Sequence, residues 1–127
     1  MNAFARPALC AVPMLLAGCM MTPTASTGPV ALDQPQRLGG LTITPLAIVE
    51  DSRCPINARC IWAGRLVVRA AIAGGYDRLE RNFTLGEVAQ TDFGPIRLDS
   101  ATPGRTTQDG EIPSPAYRVH FSFAPRP

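Results

Sequence analysis

Lysine is missing from this 127-residue chain: all twelve basic residues are arginine, set against ten acids, for a net charge of +2. No block of like charge occurs along it, so the electrostatic footprint of a nucleic-acid-binding protein is absent. Aromatic residues are scarce at 6%, with one tryptophan, and there is one histidine. No window sustains an apolar period of 3.6 residues, which argues against amphipathic helices. No apolar run approaches the roughly twenty residues that a membrane-crossing helix needs. The chain is rich, by contrast, in turn formers: 13 Pro and 11 Gly suit short strands joined by frequent turns. The length is that of one domain.

The N-terminal stretch "MNAFARPALCAVPMLLAGC" places one positive charge, Arg6, before an apolar segment from Pro7 to Ala17. That is the pattern of a secretory signal. Its end, Leu16-Ala17-Gly18-Cys19, resembles the lipobox of bacterial lipoproteins. The resemblance implies that the Cys19 sulfur takes up a diacylglyceryl group and that cleavage before Cys19 makes it the new N-terminus. Ordinary cleavage near "TAS" (24–26), giving a soluble product, is the alternative. Residues 1–18 are thus expected to be a lipoprotein signal peptide. The chain is expected in the bacterial cell envelope, lipid-anchored. Met20 rather than aspartate follows Cys19, which points to the outer membrane, facing the periplasm.

Residues 19–36 continue as "CMMTPTASTGPVALDQPQ", rich in Thr, Ser and Pro without apolar period, and are expected to form a lipid-anchored flexible tether spanning roughly 20–25 Å. The β domain is expected over 37–127. Within it, "LTITPLAIV" (41–49) alternates with a phase break at Pro45, the mark of an edge position or a bulge. "GRLVVRAAIA" (64–73) alternates Leu66, Val68, Ala70 and Ile72 against its other face, and "AGGYD" reads as a hairpin turn. "DRLERNFTLG" (77–86) puts Leu79, Phe83 and Leu85 on one face. "GPIRLDSA" (94–101) offers Ile96 and Leu98, and "AYRVHFSF" (116–123) turns Tyr117, Val119, Phe121 and Phe123 inward. The expected fold is all-β, a small antiparallel sandwich or barrel of five to six strands. The segment 102–115 reads as a long polar loop and as the most mobile part of the domain.

Of four cysteines, Cys10 lies in the signal and Cys19 is the lipidation site, which leaves Cys54 and Cys60. An exported, oxidised pair this close is expected to be a disulfide. The alternatives are a metal clip and a redox pair. Zinc would need two further ligands, and redox catalysis favours a CxxC pair at a helix start. Asp51 is expected to accept turn N–H groups or to pair with Arg53. Trp62 shares parity with Leu66 and Val68 and is expected to cover the end of the core, an exposed binding aromatic being the alternative.

The stretch "EDSRCPINARCIWAGRLVV" resembles the signature DSRCP-x4-C-x-W-x-G of small bacterial secreted and lipidated proteins of unknown function. The resemblance implies a disulfide-stapled β domain of the envelope and supplies no reaction. The residues themselves offer no activated nucleophile or acid–base pair: His120, the sole histidine, lies on the outward phase of the last strand, and Glu50 and Asp51 point to opposite faces. No catalytic residue, metal ligand or cofactor is expected. Arg53, Arg59, Trp62 and Arg65 are the candidate binding residues, able to meet carboxylates or phosphates of an envelope polymer or a protein partner. Pairing with Glu50 and Asp51 or solvation is the plainer fate of those arginines. The expected function is that of a membrane-anchored binding or structural module, the alternative being a lipidated hydrolase inhibitor acting through the disulfide loop.

Overall fold

The computed structural model describes residues 18–19, 24–108 and 110–124. Residues 1–17 of the expected signal peptide, 1–18, lie outside the described residues. The rest is all-β, in two antiparallel sheets. The first holds β1 (Gln36–Leu38), β2 (Leu41–Asp51), β3 (Leu66–Gly74) and β4 (Asp77–Thr84) in that order. The second holds β5 (Val88–Thr91), β6 (Gly94–Thr102) and β7 (Arg118–Phe123), again in sequence order. A single 3-10 turn, Ser114–Ala116, precedes β7. The fold is thus an unclosed sandwich of seven strands rather than five or six, because β1 and β5 are too short to show a period in sequence.

Side chains alternate between the two faces along a strand, and the inward set forms the core, while β3, in the middle of its sheet, also buries Val67 and Ala71 of the other set. Leu66, Val68, Ala70 and Ile72 of β3 are fully buried, as are Ile96 and Leu98 of β6. They meet Phe83, Val119 and Phe121 in one core. The Phe83 and Phe121 rings, one from each sheet, pack edge to face with centroids 5.2 Å apart, the arrangement their quadrupoles favour. The phase break at Pro45 is a bulge: the β2–β3 register shifts between Pro45 and Ala47, and again between Ile48 and Glu50. "GGY" is the expected tight hairpin, Gly74 pairing with Asp77 around Gly75-Tyr76. Gly75 has φ 59°, a conformation that glycine adopts without strain.

Two expectations need correction here. Phe123 shares the inward phase of β7 but is 42% exposed, because it is the last rung of the strand and lies at the end of the core. The tether reading of 19–36 also fails in its second half. Val30 is 5% exposed, joins the core and exchanges backbone hydrogen bonds of 2.9 Å with Val119. Gln36 is 1% exposed; its Nε2 donates to the Phe121 carbonyl (2.7 Å) and its Oε1 accepts from the Phe121 N–H (2.9 Å). One polar side chain and one isolated valine carry no periodic signal, so this closure of the sandwich is invisible to pattern reading.

Candidate functional site

The β2–β3 connection, residues 52–65, stands at one end of the sandwich. Its base continues the ladder irregularly: Ser52 N–H donates to the Arg65 carbonyl (2.8 Å), Arg65 N–H to Ser52 Oγ (3.1 Å) and Cys54 N–H to the Ala63 carbonyl (3.2 Å). Gly64 has φ +67°, and a Cβ there would overlap the Ser52 carbonyl; close backbone approach requires glycine. Cys54 and Cys60 are joined as a disulfide with Cα atoms 5.9 Å apart. Their sulfurs are therefore bonded to each other rather than held as thiolates for a metal.

Beneath the loop lies an interaction node that the sequence only half revealed. The Asp51 carboxylate accepts from Arg53 Nε (2.8 Å) and Nη2 (2.9 Å) and from the Tyr117 hydroxyl (2.7 Å). The two charged side chains are only 15% and 10% exposed. Arg53 also donates to the Pro103 carbonyl (3.0 Å), and Arg105 Nη1 donates to the carbonyls of Asp51 (3.1 Å) and Arg53 (3.3 Å). Burial pushes the Asp51 carboxyl up, but the hydrogen bonds from Arg53 and Tyr117 and the guanidinium charge outweigh it and hold the group below its ordinary value. The hydrogen bond to Asp51 raises Arg53 above its usual range. Burial, then the hydrogen bond to Asp51, push the Tyr117 hydroxyl up to about 12. The run Asp51-Ser52-Arg53 is thus a bracket joining the end of β2 to Tyr117, just ahead of β7, and to the 101–105 segment.

That bracket also corrects the reading of the 102–115 loop as a mobile excursion. The Ile56 N–H donates to the Arg105 carbonyl (2.8 Å). Asn57 and Thr107 exchange two hydrogen bonds, Nδ2 to Oγ1 at 2.9 Å and Thr107 N–H to Oδ1 at 3.0 Å. The two loops are laced together. Arg105, Asn57 and Tyr117 were missed as partners because a loop arginine and a loop asparagine give no signal of what they meet.

The sequence-derived binding residues separate in the structure. Arg53 is spent in the node. Arg65 is exposed but paired with Glu50, Nε to Oε2 2.6 Å. Arg59 is exposed and forms no ion pair among the described residues. Trp62 does not cover the core: it is 82% exposed, beside Ile61 at 93%, with Ile56 at 78% on the same loop. The parity argument failed because the positive φ at Gly64 breaks the alternation between Leu66 and Trp62. Cys19 is exposed with a free thiol.

Two hollows lie along β2, the first of them at the loop base. One, of about 330 Å³, runs between the end of β2 and the 105–114 segment and is lined by Glu50, Asp51, Arg105, Glu111, Ile112 and Tyr117 among others. The other, of about 300 Å³, shares Ile48 and Ser114 with it. On the outer face of the second sheet, His120 Nδ1 lies 3.4 Å from Asp99 Oδ2, while Arg97 Nε donates to Asp99 Oδ1 at 2.7 Å. Burial raises Asp99, but hydrogen bonds from Ser122 and Arg97 hold it below the ordinary carboxylate value. Among the described residues no three His, Cys, Asp or Glu side chains converge to hold a metal ion. Compared with protein-family models, curated proteins and solved structures, the chain matches none.

Proposed function

We propose that the chain is a lipid-anchored envelope protein, attached through Cys19, whose β domain works as a binding module rather than an enzyme, with the disulfide loop as its contact element. One observation carries the reading. Three large apolar side chains, Ile56, Ile61 and Trp62, stand 78–93% exposed on a loop fixed by a disulfide, a buried ion pair and cross-loop hydrogen bonds. Clustered exposed apolar groups mark interaction surfaces, and a loop already held in one shape loses little entropy on binding. The same braced protrusion supports a second reading, insertion into the cleft of a hydrolase as an inhibitor.

The test is a photo-crosslinking amino acid placed at Ile61 in cells, with Arg81 on β4 as a control position. Adducts should form at 61 and not at 81, and Trp62→Ala should suppress them while leaving the melting temperature unchanged. Equal adduct yields at both positions would remove the loop as the contact element, and capture of a hydrolase in a one-to-one adduct would select the inhibitor reading.

A further inference from the structure

A parallel bridge sets the chain direction at Ser26, where the N-terminal segment meets the first sheet. Ser26 pairs with Gln36 in parallel, its N–H donating to the Pro35 carbonyl (3.1 Å) and its carbonyl accepting from the Arg37 N–H (2.6 Å). β1 runs toward the Gly39-Gly40 turn, and β2 returns from that turn to Asp51 at the base of the disulfide loop. A chain parallel to β1 and followed backwards from Ser26 therefore heads for the disulfide-loop end. From Ser26 back to Cys19 there are seven steps, a reach of at most about 25 Å. Ile43, the partner of Gln36, lies eight residues from Asp51, roughly 26 Å along β2. Seven residues thus have the reach to bring Cys19 level with the base of the disulfide loop. The reach is also shorter than the width of a domain of about 100 residues, whose radius of gyration is near 13 Å, so a bilayer holding Cys19 keeps the domain within about 25 Å of its surface.

The loop has the composition for that surface. Residues 52–65 hold three arginines and no Asp or Glu. Arg53 and Arg65 are neutralised by Asp51 and Glu50, which leaves Arg59 as a net positive charge beside Ile61 and Trp62. Tryptophan favours the membrane–water interface, where its ring sits among headgroups and glycerol, and an adjacent arginine complements anionic lipid.

We propose that the disulfide loop is a second point of membrane contact: Trp62, Ile61 and Ile56 enter the interfacial zone of the leaflet that carries the Cys19 lipid, with Arg59 against its anionic headgroups. The proposal rests on the reading of Cys19 as the anchor and names the partner of the contact element. The lipid and the loop together fix the orientation of the sandwich, holding its disulfide end down and its opposite end, with the exposed Tyr76, away from the bilayer.

Trp62 is the only tryptophan, so its emission reports the loop alone. The lipidated protein, reconstituted in phosphatidylethanolamine–phosphatidylglycerol vesicles with brominated acyl chains, should show Trp62 emission that is quenched and moved to shorter wavelength. Ile61→Ser should weaken the quenching. Residues 19–127 with Cys19→Ser, which retain every strand and every core residue, should bind the same vesicles weakly. That binding should fall about tenfold or more with Trp62→Ala and should also decline with Arg59→Glu and with added salt. Unquenched, water-like Trp62 emission in a protein whose Cys19 lipid is confirmed by mass spectrometry overturns the loop contact and leaves the anchor standing. Absence of that lipid removes the anchor reading, while vesicle binding by the Cys19→Ser chain still supports or sinks the loop contact by itself. A Trp62 shift elicited by a hydrolase and not by vesicles also overturns it.

Discussion

Replacing Asp51 by alanine should be among the most damaging changes to this domain, although the residue lies at a strand end rather than in the core. Its carboxylate takes two charged hydrogen bonds from Arg53 and one from Tyr117. Without it the guanidinium, 15% exposed, keeps only carbonyl acceptors, of which Pro103 at 3.0 Å is the good one. The Tyr117 hydroxyl, on a residue 4% exposed, loses its acceptor as well. Hydrogen bonds to charged groups contribute about 1.5–3 kcal/mol each, and a buried ion pair broken on one side costs about 3–5 kcal/mol. Residual access of water lowers the sum to about 3 kcal/mol. For a domain this size that is a fall of roughly 12–20 °C in Tm. Urea unfolding at pH 7 with the disulfide intact measures it. Arg65→Ala, which breaks an ion pair whose side chains are 63% and 37% exposed, is the comparison and should cost far less, because water screens exposed pairs. Since the Asp51 carboxyl is held below its ordinary value, its contribution is complete above the unfolded value of about 3.9 and is lost as pH falls through the lower folded value. Asp51→Asn should flatten that acid limb. A loss from Asp51→Ala no larger than that from Arg65→Ala would refute the bracket.

At the alkaline end, Tyr117 is raised to about 12 from an unfolded value near 10, so its stabilisation is whole below pH 10 and fades between pH 10 and 12. Denaturation midpoints should fall across that window, and Tyr117→Phe should remove the dependence. Cys54→Ser with Cys60→Ser should cost about 2–3 kcal/mol, the chain entropy of a loop with a sequence separation of 6; chelators should leave Tm unchanged. Gly64→Ala should cost more than about 2 kcal/mol, since left-handed backbone strain adds to overlap with Ser52. Gly75→Ala, strained alike but with open space around it, should cost about 1 kcal/mol, and equal losses at the two positions would contradict the close-approach reading.

What the sequence revealed, and what it hid, follows from the range of the interactions. Leu66, Val68 and Ile72 announce a strand because alternation is local, and every two-residue step repeats the same message. The bulge at Pro45 was legible for the same reason, as a slip in that message. Trp62 misled because parity carries only while the backbone stays extended, and Gly64 ends that extension. Cys54 and Cys60 were legible as a pair through their spacing and the expectation of export, whereas Asp51 was legible only as a partner of the nearby Arg53. Tyr117, 66 positions away, could not be joined to it without the fold. Long-range polar contacts have no period, and in this domain they hold the end that carries the candidate site.

Gln36 is the sharpest case of such a contact, and it sets where the domain begins. Its side chain presents an acceptor and a donor to Phe121 as a neighbouring strand would, and so covers part of the free edge of β7. Exposed strand edges invite pairing with other chains, and in this sandwich one amide reduces that hazard beside the buried Phe121. Gln36→Ala leaves a buried N–H and a buried carbonyl without partners, at about 1–3 kcal/mol each before water enters; a net loss near 3 kcal/mol is expected. Gln36→Glu keeps the acceptor, loses the donor and buries a charge, so it should be no milder. Deletion sharpens the point. A chain starting at Thr24 retains Val30 and Gln36 and should unfold cooperatively at the midpoint of the chain starting at residue 19. One starting at Arg37, where a tether of 19–36 would place the boundary, loses both and should show a much lower midpoint and concentration-dependent association through the bared β7 edge. Size-exclusion chromatography and urea melts of the two truncated chains decide between them: equal midpoints and a monomeric short form would return residues 24–36 to the tether and leave β7 needing no cover.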